Sequence, residues 1–323
     1  MFSCTTILAA LAWAAAAGAD VVVPSLAGDL VVHYGFDHML GGDDGRERDL
    51  GHSGTELALV NGGALMRVDD PAYPGAGRAL ETRQVDPGRA GNDDWKAGVY
   101  REGGVSTLSA FNGVAGITLM GWVKPTGRNP GAESNTPEPD DSFGAVGLFG
   151  LLSGTSDGHL VRALIEVIDM GGTFQVVALG RRVDDGESLL LAADGDWEAI
   201  VPPGAWTHLA ATFDYEAGTM ALYRNGEPLP ADYTSTADHW RVAGGRVAGG
   251  AEPGRTSATD PAGIKIGGSY PQNTVERNPF NGRFDDLMFF DRALSADEVR
   301  AQFEKFGFRL TDFRGLTSAR GRG

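Results

Sequence analysis

Two carboxylates about 5–5.5 Å apart, flanking a glycosidic bond, are what a retaining glycoside hydrolase requires. The nearest such pair in this chain is Glu166 and Asp169, in the run Glu166-Val167-Ile168-Asp169. They are an odd number of positions apart, so on an extended strand they point to opposite faces and could share a cleft only across a bulge. Proton abstraction, the step of a polysaccharide lyase, needs groups that titrate near the working pH, and Tyr with His supplies them. Tyr100 with His159 or His208 is the set to test. Sugar binding without chemistry needs exposed aromatics beside amides and carboxylates. Trp95, Trp197 and Trp240 stand in or beside polar stretches, whereas Trp122 and Trp206 are expected in the core. Arg181, with Arg182, Arg241 and Arg246, could line a local basic groove. No His or Cys cluster suggests zinc, and the Gly-rich stretches lack the strand-loop-helix setting of a phosphate loop.

The elements that would position these groups read as strands. Phe284 to Phe290 follows a turn at Asn281-Gly282. Simple alternation puts Asp285, Leu287 and Phe289 on one face and Phe284, Asp286, Met288 and Phe290 on the other. Both faces are apolar past the first residues, as in a central strand covered on both sides. Ser295 and Glu298 then form a capping box, with Leu294 and Val299 as a staple. Val299, Phe303 and Phe306 give a short amphipathic helix. Leu30 to Asp37 is a strand, and Asp43 to Gly54 a polar loop. Leu57–Val60 and Ala64–Val68 pattern as a hairpin about Asn61-Gly62-Gly63. Ala79 to Val85, Ile117 to Val123, Val146 to Leu152, Val161 to Ile168, Phe174 to Leu179, Ser188 to Ala192 and Trp197 to Val201 read as further strands. Trp206–Phe213 and Thr219–Tyr223 pattern as a hairpin closed by Asn225-Gly226. Positions 126–143 and 231–261 have no apolar periodicity and read as long insertions.

Several of these stretches carry a family resemblance. GRFDDLMFFDRALSADEV resembles the last strand and helix of bacterial laminin-G-like (LamG) domains, members of the concanavalin A-like lectin/glucanase superfamily. LVVHYGFDH resembles the first strand of that family, WTHLAATFDYEAGTMALYRNGEPL its central hairpin, and IKIGG the strand before the closing one. The resemblance implies an all-β jelly roll of two antiparallel sheets with a short C-terminal helix, over residues 24–307. It also implies that the first and last strands are neighbours, bringing Asp37 close to Asp285 or Asp286. Carboxylates joined by backbone carbonyls are the hard oxygen set that calcium takes, and a cation there would clip the two chain ends. Calcium bound by Asp37, Asp285 and Asp286 is therefore the expected structural cofactor. Asp49-Leu50-Gly51-His52-Ser53-Gly54 is a loose form of a family loop motif, and Thr82-Arg83-Gln84 departs from the family pattern. Lys96-Ala97-Gly98-Val99-Tyr100 superficially resembles a strand of the alginate-lyase jelly rolls, but stands early and without the Gln-Ile-His strand of that family. One such fold hosts lectins, hydrolases, lyases and adhesion modules, so the resemblance is a guide to fold more than to function.

Composition narrows the partners. The chain has 323 residues and a net charge of −16, which argues against nucleic acid as an electrostatic partner. Ile7 to Ala17 is an apolar run ending at Ala17-Gly18-Ala19, so residues 1–19 read as a secretory signal, too short and Ala-rich for a membrane anchor. Cys4, the single cysteine, lies in that segment, so a core or a metal rather than disulfides must hold the exported form. Residues 308–323 read as a flexible tail. The expectation is a secreted or periplasmic, calcium-stabilised, lectin-like module that binds a polysaccharide or cell-surface glycan, without membrane insertion and with no oligomeric state implied. The alternatives are a polysaccharide-degrading enzyme, lyase or glycoside hydrolase, working on the concave face, and a protein-binding adhesion module.

Overall fold

A computed structural model of the chain describes residues 21–86, 91–127, 129, 145–155, 160–186, 188–234, 254–268, 270–273 and 279–307. The expected signal segment, the tail, His159, Trp240, Arg241, Arg246 and most of both long insertions lie outside the described residues. In chain order the strands are β1 (Leu30–Tyr34), β2 (Met39–Leu40), β3 (Asp43–Glu47), β4 (Leu57–Val60), β5 (Arg67–Val68), β6 (Ala79–Thr82), β7 (Lys96–Tyr100), β8 (Gly116–Pro125) and β9 (Val146–Leu152). They continue with β10 (Val161–Asp169), β11 (Phe174–Gly180), β12 (Leu189–Ala193), β13 (Thr207–Asp214), β14 (Thr219–Arg224), β15 (Glu227–Leu229), β16 (Ala231–Tyr233), β17 (Gly263–Ile266) and β18 (Gly282–Phe290). Among the described residues the α-helices are α1 (Trp197–Ile200) and α2 (Ala296–Lys305).

The strands form two antiparallel sheets. The eight-stranded sheet runs β15-β14-β13-β8-β18-β6-β5, with β1 also paired to β18. The ten-stranded sheet runs β16-β12-β11-β10-β9-β17-β7-β4-β3-β2. Inward residues such as Val32, Leu119, Phe149, Ile165, Phe284 and Phe289 fill the space between them. Each such side chain contributes about 1.5–3 kcal/mol by leaving water. The outer face of the smaller sheet is not solvated. Met120, Trp122, Met288 and Phe290 are covered there by Val299, Phe303 and Phe306 of the α2 region and by Tyr73. The expected jelly-roll sandwich, the pairing of first and last strands and the C-terminal helix are all present.

The helix α2 has the capping box read from sequence. Ser295 Oγ accepts the Glu298 N–H, and Glu298 Oε2 accepts the Ser295 N–H at 2.9 Å. Arg292 bridges Glu298 and Asp29, which fastens the helix start to the residue before β1.

Three local expectations are corrected. Asp43–Glu47 is a strand, β3, paired with β4 through Arg46 and Glu47, rather than a polar loop. The hairpin about Asn61-Gly62-Gly63 does not form. A 3₁₀ turn at Gly63–Met66 carries the chain across, so β4 lies in the larger sheet and β5 in the smaller. Trp197–Ile200 is a helical turn, not a strand; Asp196 caps it by accepting the Glu198 N–H at 2.9 Å. A carboxylate at the N-cap satisfies an orphan N–H, and that local bond outweighs a weak strand pattern.

Candidate functional site

The closing strand departs from simple alternation. Along one edge β18 pairs with β8 throughout. Along the other it pairs with β6 through Gly282–Phe284 and then with β1 through Leu287–Phe290. Between Asp285, opposite Trp122, and Met288, opposite Met120, β18 holds one extra residue. Such a bulge turns side chains to new faces. Phe284, Leu287 and Phe289 all enter the inter-sheet core, while Met288 and Phe290 face α2. Asp286 adopts φ 42°, the left-handed region that Asp tolerates better than most residues. The bulge places Asp285 and Asp286 side by side where the neighbouring strand changes.

Both carboxylates are buried, at 1% and 6% exposure. Asp286 Oδ1 accepts from His33 Nε2 at 2.6 Å, and its Oδ2 accepts from the Tyr73 hydroxyl. Asp285 Oδ2 accepts the Ala72 N–H at 3.1 Å and Oδ1 accepts the Asp286 N–H at 2.9 Å. Burial, and then the charge of Asp286, hold the Asp285 carboxyl well above the usual carboxylate range. Asp37 lies beyond the end of β1 and accepts the Arg78 N–H at 2.6 Å. Its carboxyl is raised, chiefly by burial, and it feels the charge of Asp286. The sequence-predicted trio is thus brought into electrostatic contact. Three carboxylates from the two chain ends are the donor chemistry of a hard cation. As they stand, however, the four oxygens of Asp285 and Asp286 each receive a proton donor of the protein. Among the described residues no three His, Cys, Asp or Glu side chains are arranged to hold a metal.

The Asp49–Gly54 loop braces this region. The Asp49 carboxylate accepts the N–H of His33, Gly51 and Thr55 and the hydroxyl of Ser53, at 2.6–3.1 Å. Gly51 packs onto β1 so closely that a Cβ would stand 2.5 Å from the Val31 carbonyl oxygen. The motif read from sequence is therefore a clamp that fixes His33.

The remaining candidates are dispersed. Tyr100 ends β7 in the larger sheet, whereas His208 lies in β13 of the smaller, so the structure does not bring them together. His208 is fully buried against Trp122, Phe303 and Phe306, and burial pushes its imidazole down to about 3. Neither of its ring nitrogens has a hydrogen-bond partner among the described residues. Glu166 is buried and paired with Lys265 at 3.2 Å, while Asp169 is exposed and accepts the Gly172 N–H of a turn. The two do not share a cleft. Trp197 is 3% exposed and belongs to the core, so it is no ligand platform. Arg181 donates to Ser188 Oγ and to the Asp184 carbonyl, and Arg182 is buried.

Among the described aromatic candidates, Trp95 keeps surface company of the kind sugars use. The Arg83 guanidinium lies 3.7 Å from its ring centroid. A Cβ on Gly62 would stand 2.8 Å from the ring, so Gly62 also packs against the indole, and Trp95 acts as a platform for Arg83. Beside it three amides from three loops interlock. Asn61 Nδ2 donates to Asn273 Oδ1 and to the Asp94 carbonyl, each at 3.0 Å. Asn92 Nδ2 donates to Asn273 Oδ1 at 3.0 Å, and Asn273 Nδ2 to Asn61 Oδ1 at 3.1 Å. Asn61 follows β4, Asn92 precedes β7 and Asn273 follows β17, adjacent strands whose ends meet at one rim of the larger sheet. Sequence reasoning missed these amides because they lie up to 212 positions apart. The available signal was Asn at each of three turns.

Comparison with known proteins follows the geometry. The Laminin_G_3 family model, of the concanavalin A-like lectin/glucanases superfamily, matches residues 103–263. Pentraxin-related protein PTX3 of Mus musculus is 31% identical over 116 residues, which cover 36% of this chain and 26% of that protein. PTX3 of Bos taurus is 30% identical over 115 residues, with the same coverages. The chain thus spans about a quarter of the length of these relatives. A solved structure entitled "Cell entry of botulinum neurotoxin type C is dependent upon interaction with two ganglioside molecules" aligns with TM-score 0.50 and 12% identity, covering 88% of this chain and 53% of that one. The botulinum neurotoxin serotype D/C VPI 5993 binding domain aligns with TM-score 0.50 and 12% identity, covering 87% and 53%. At such identity the likeness is one of fold.

Proposed function

We infer that this chain, which carries a concanavalin A-like lectin/glucanase domain, is a carbohydrate-recognition module. It binds glycan hydroxyls at the rim of the larger sheet. The carrying observation is the three-amide lattice of Asn61, Asn92 and Asn273 beside an arginine whose guanidinium lies over the Trp95 ring. Asn61 and Asn273 are exposed, and the Arg83 side chain is 45% exposed. Amides that already trade hydrogen bonds with one another can exchange them for paired sugar hydroxyls at little net cost. A solved structure of similar fold has a title describing ganglioside binding, which supports a glycan partner without specifying one.

The test is a glycan array with the purified chain, followed by titration of any hit against wild type and Asn61→Ala. Binding that is lost in the variant supports the rim. Absence of any hit across neutral and acidic glycans removes the reading.

Two finer features belong to the same proposal. Calcium is proposed at Asp37, Asp285 and Asp286, because a cation replacing the donors at these carboxylates relieves their mutual repulsion. Export is proposed from the apolar Ile7–Ala17 run, and N-terminal sequencing of protein expressed with this segment tests it.

A further inference from the structure

A row of charges crosses the end of the smaller sheet and stops at Trp95. Lys124 of β8, Arg283 of β18 and Glu81 of β6 stand opposite one another in register. Lys124 meets Asp70 at 2.9 Å, and Arg283 pairs with Asp70 and, at 2.9 Å, with Glu81. Arg83 closes the row, so three cations share two carboxylates. Arg83 is the least engaged of the three. Its Nη1 stands 3.6 Å from Glu81 Oε1, beyond a hydrogen bond, while Arg283 holds Glu81 Oε2 through both Nε and Nη2. Among the described residues the Arg83 guanidinium donates no hydrogen bond.

That guanidinium is nevertheless held in place. The Arg83 N–H donates to the Trp95 carbonyl at 3.0 Å, and the Trp95 N–H to the Arg83 carbonyl at 2.9 Å. This bridge ties the end of β6, in the smaller sheet, to the start of β7, in the larger. Over it the Arg83 side chain crosses to the indole, 3.7 Å from the ring centroid. Rotamer freedom that a long side chain would lose on binding is here lost on folding. The rim thus presents a planar cation, half-exposed, with its N–H donors unspent.

A neutral hydroxyl would use one of those donors. A carboxylate would take two parallel N–H bonds and match the charge. Displacing Glu81 from Arg83 leaves Glu81 still paired with Arg283. The hydroxyl-binding amides adjoin, since Asn61 Nδ2 reaches the carbonyl of Asp94, the residue before Trp95. The wider field does not draw anions in. Asp93 and Asp86 stand close by in the chain, with Asp93 accepting the Asp86 N–H at 3.4 Å, and the whole protein carries −16. A carboxylate carried on a sugar ring that the amides already hold reaches Arg83 as an intramolecular partner.

We propose that the rim selects acidic glycans: sugars whose ring hydroxyls engage the Asn61, Asn92 and Asn273 lattice and whose carboxylate takes a bidentate pair from Arg83. This rests on the glycan reading of the same rim and adds the charge of the ligand to it.

The experiment titrates the full chain calorimetrically with oligosaccharides of glucuronate, galacturonate, mannuronate and guluronate, each beside its carboxyl-reduced neutral twin and a sulfate ester of that twin. At least one acidic form should bind about tenfold or more tighter than its twin. Arg83→Gln should collapse that preference to about twofold or less, and Arg83→Lys, which keeps the charge but loses the fork, should retain only part of it. Asn61→Ala should weaken acidic and neutral forms alike. Equal binding of acid and twin, a sulfate ester preferred over the carboxylate, or a preference that survives Arg83→Gln would each overturn the acidic assignment. With any of these, loss of binding in Asn61→Ala would leave the rim itself standing. No binding by any of the oligosaccharides would remove both readings.

Discussion

Gly121 and Leu287 face each other across β8 and β18 at the extra residue of the closing strand. A Cβ on Gly121 would stand 2.2 Å from Leu287 Cδ2 and 3.2 Å from its Cα. The missing side chain is what admits the bulge, and the bulge is what places Asp285 and Asp286 together. Leu287 is fully buried, and a close-packed interior leaves little room for it to shift. Gly121→Ala should therefore destabilise the fold by about 1–3 kcal/mol, even though replacing Gly ordinarily helps by stiffening the unfolded chain. Urea denaturation checks this. An unchanged or raised midpoint would show that the bulge does not depend on Gly121.

Tyr73 gives Asp286 one of its two side-chain donors. The carboxylate is 6% exposed, so water does not replace a lost donor freely. Hydrogen bonds to charged groups contribute about 1.5–3 kcal/mol, and Tyr73→Phe should lower stability by that amount. A neutral or stabilising outcome in the same denaturation assay would mean that Tyr73 packs there without supporting the carboxylate.

His208 makes a pH prediction. Its folded value of about 3 lies below the ordinary 6.5, with burial as the cause. Between those values the unfolded chain binds a proton that the folded chain refuses. Stability from this group is therefore full above pH 6.5 and falls as pH drops toward 3. His208→Phe removes an imidazole whose ring nitrogens lack partners and keeps the aromatic contacts with Trp122, Phe303 and Phe306. The variant should be about 1 kcal/mol more stable at pH 7, and its advantage should grow by about 2 kcal/mol at pH 5. Paired melts at the two pH values decide it; an advantage that stays constant would mean that His208 is not kept neutral.

The calcium proposal predicts that saturating calcium raises the melting temperature by about 5 °C, and that chelator reverses the rise. Asp37→Asn, which removes one carboxylate outside the buried pair and leaves Asp285 and Asp286 intact, should erase that response. A wild-type melt indifferent to both calcium and chelator would leave Tyr73, His33 and the amides as the complete partners of the pair.

The parts of the fold that sequence made legible are those marked locally. The apolar runs of β1 and β18, the Ser295–Glu298 box and the Asn225-Gly226 turn each carry their own signal, and all are in place. The bulge was hidden because RFDDLMFF reads as unbroken alternation, and one inserted residue changes faces without changing composition. Trp197 was misread although Asp196 and Glu198 offered a helix start, since the turn is only four residues long. The acidic pair was legible as chemistry, but His33 and Tyr73 were not, because each is near Asp286 only in the folded chain, 253 and 213 positions away. The rim escaped for the same reason.

Calorimetric titration of a glycan hit against wild type, Asn61→Ala and Arg83→Ala tests the glycan-recognition reading most directly. Each rim variant should weaken binding by about tenfold or more while the melting temperature stays within a few degrees. Undiminished binding by both variants would contradict a carbohydrate site at the Trp95 rim.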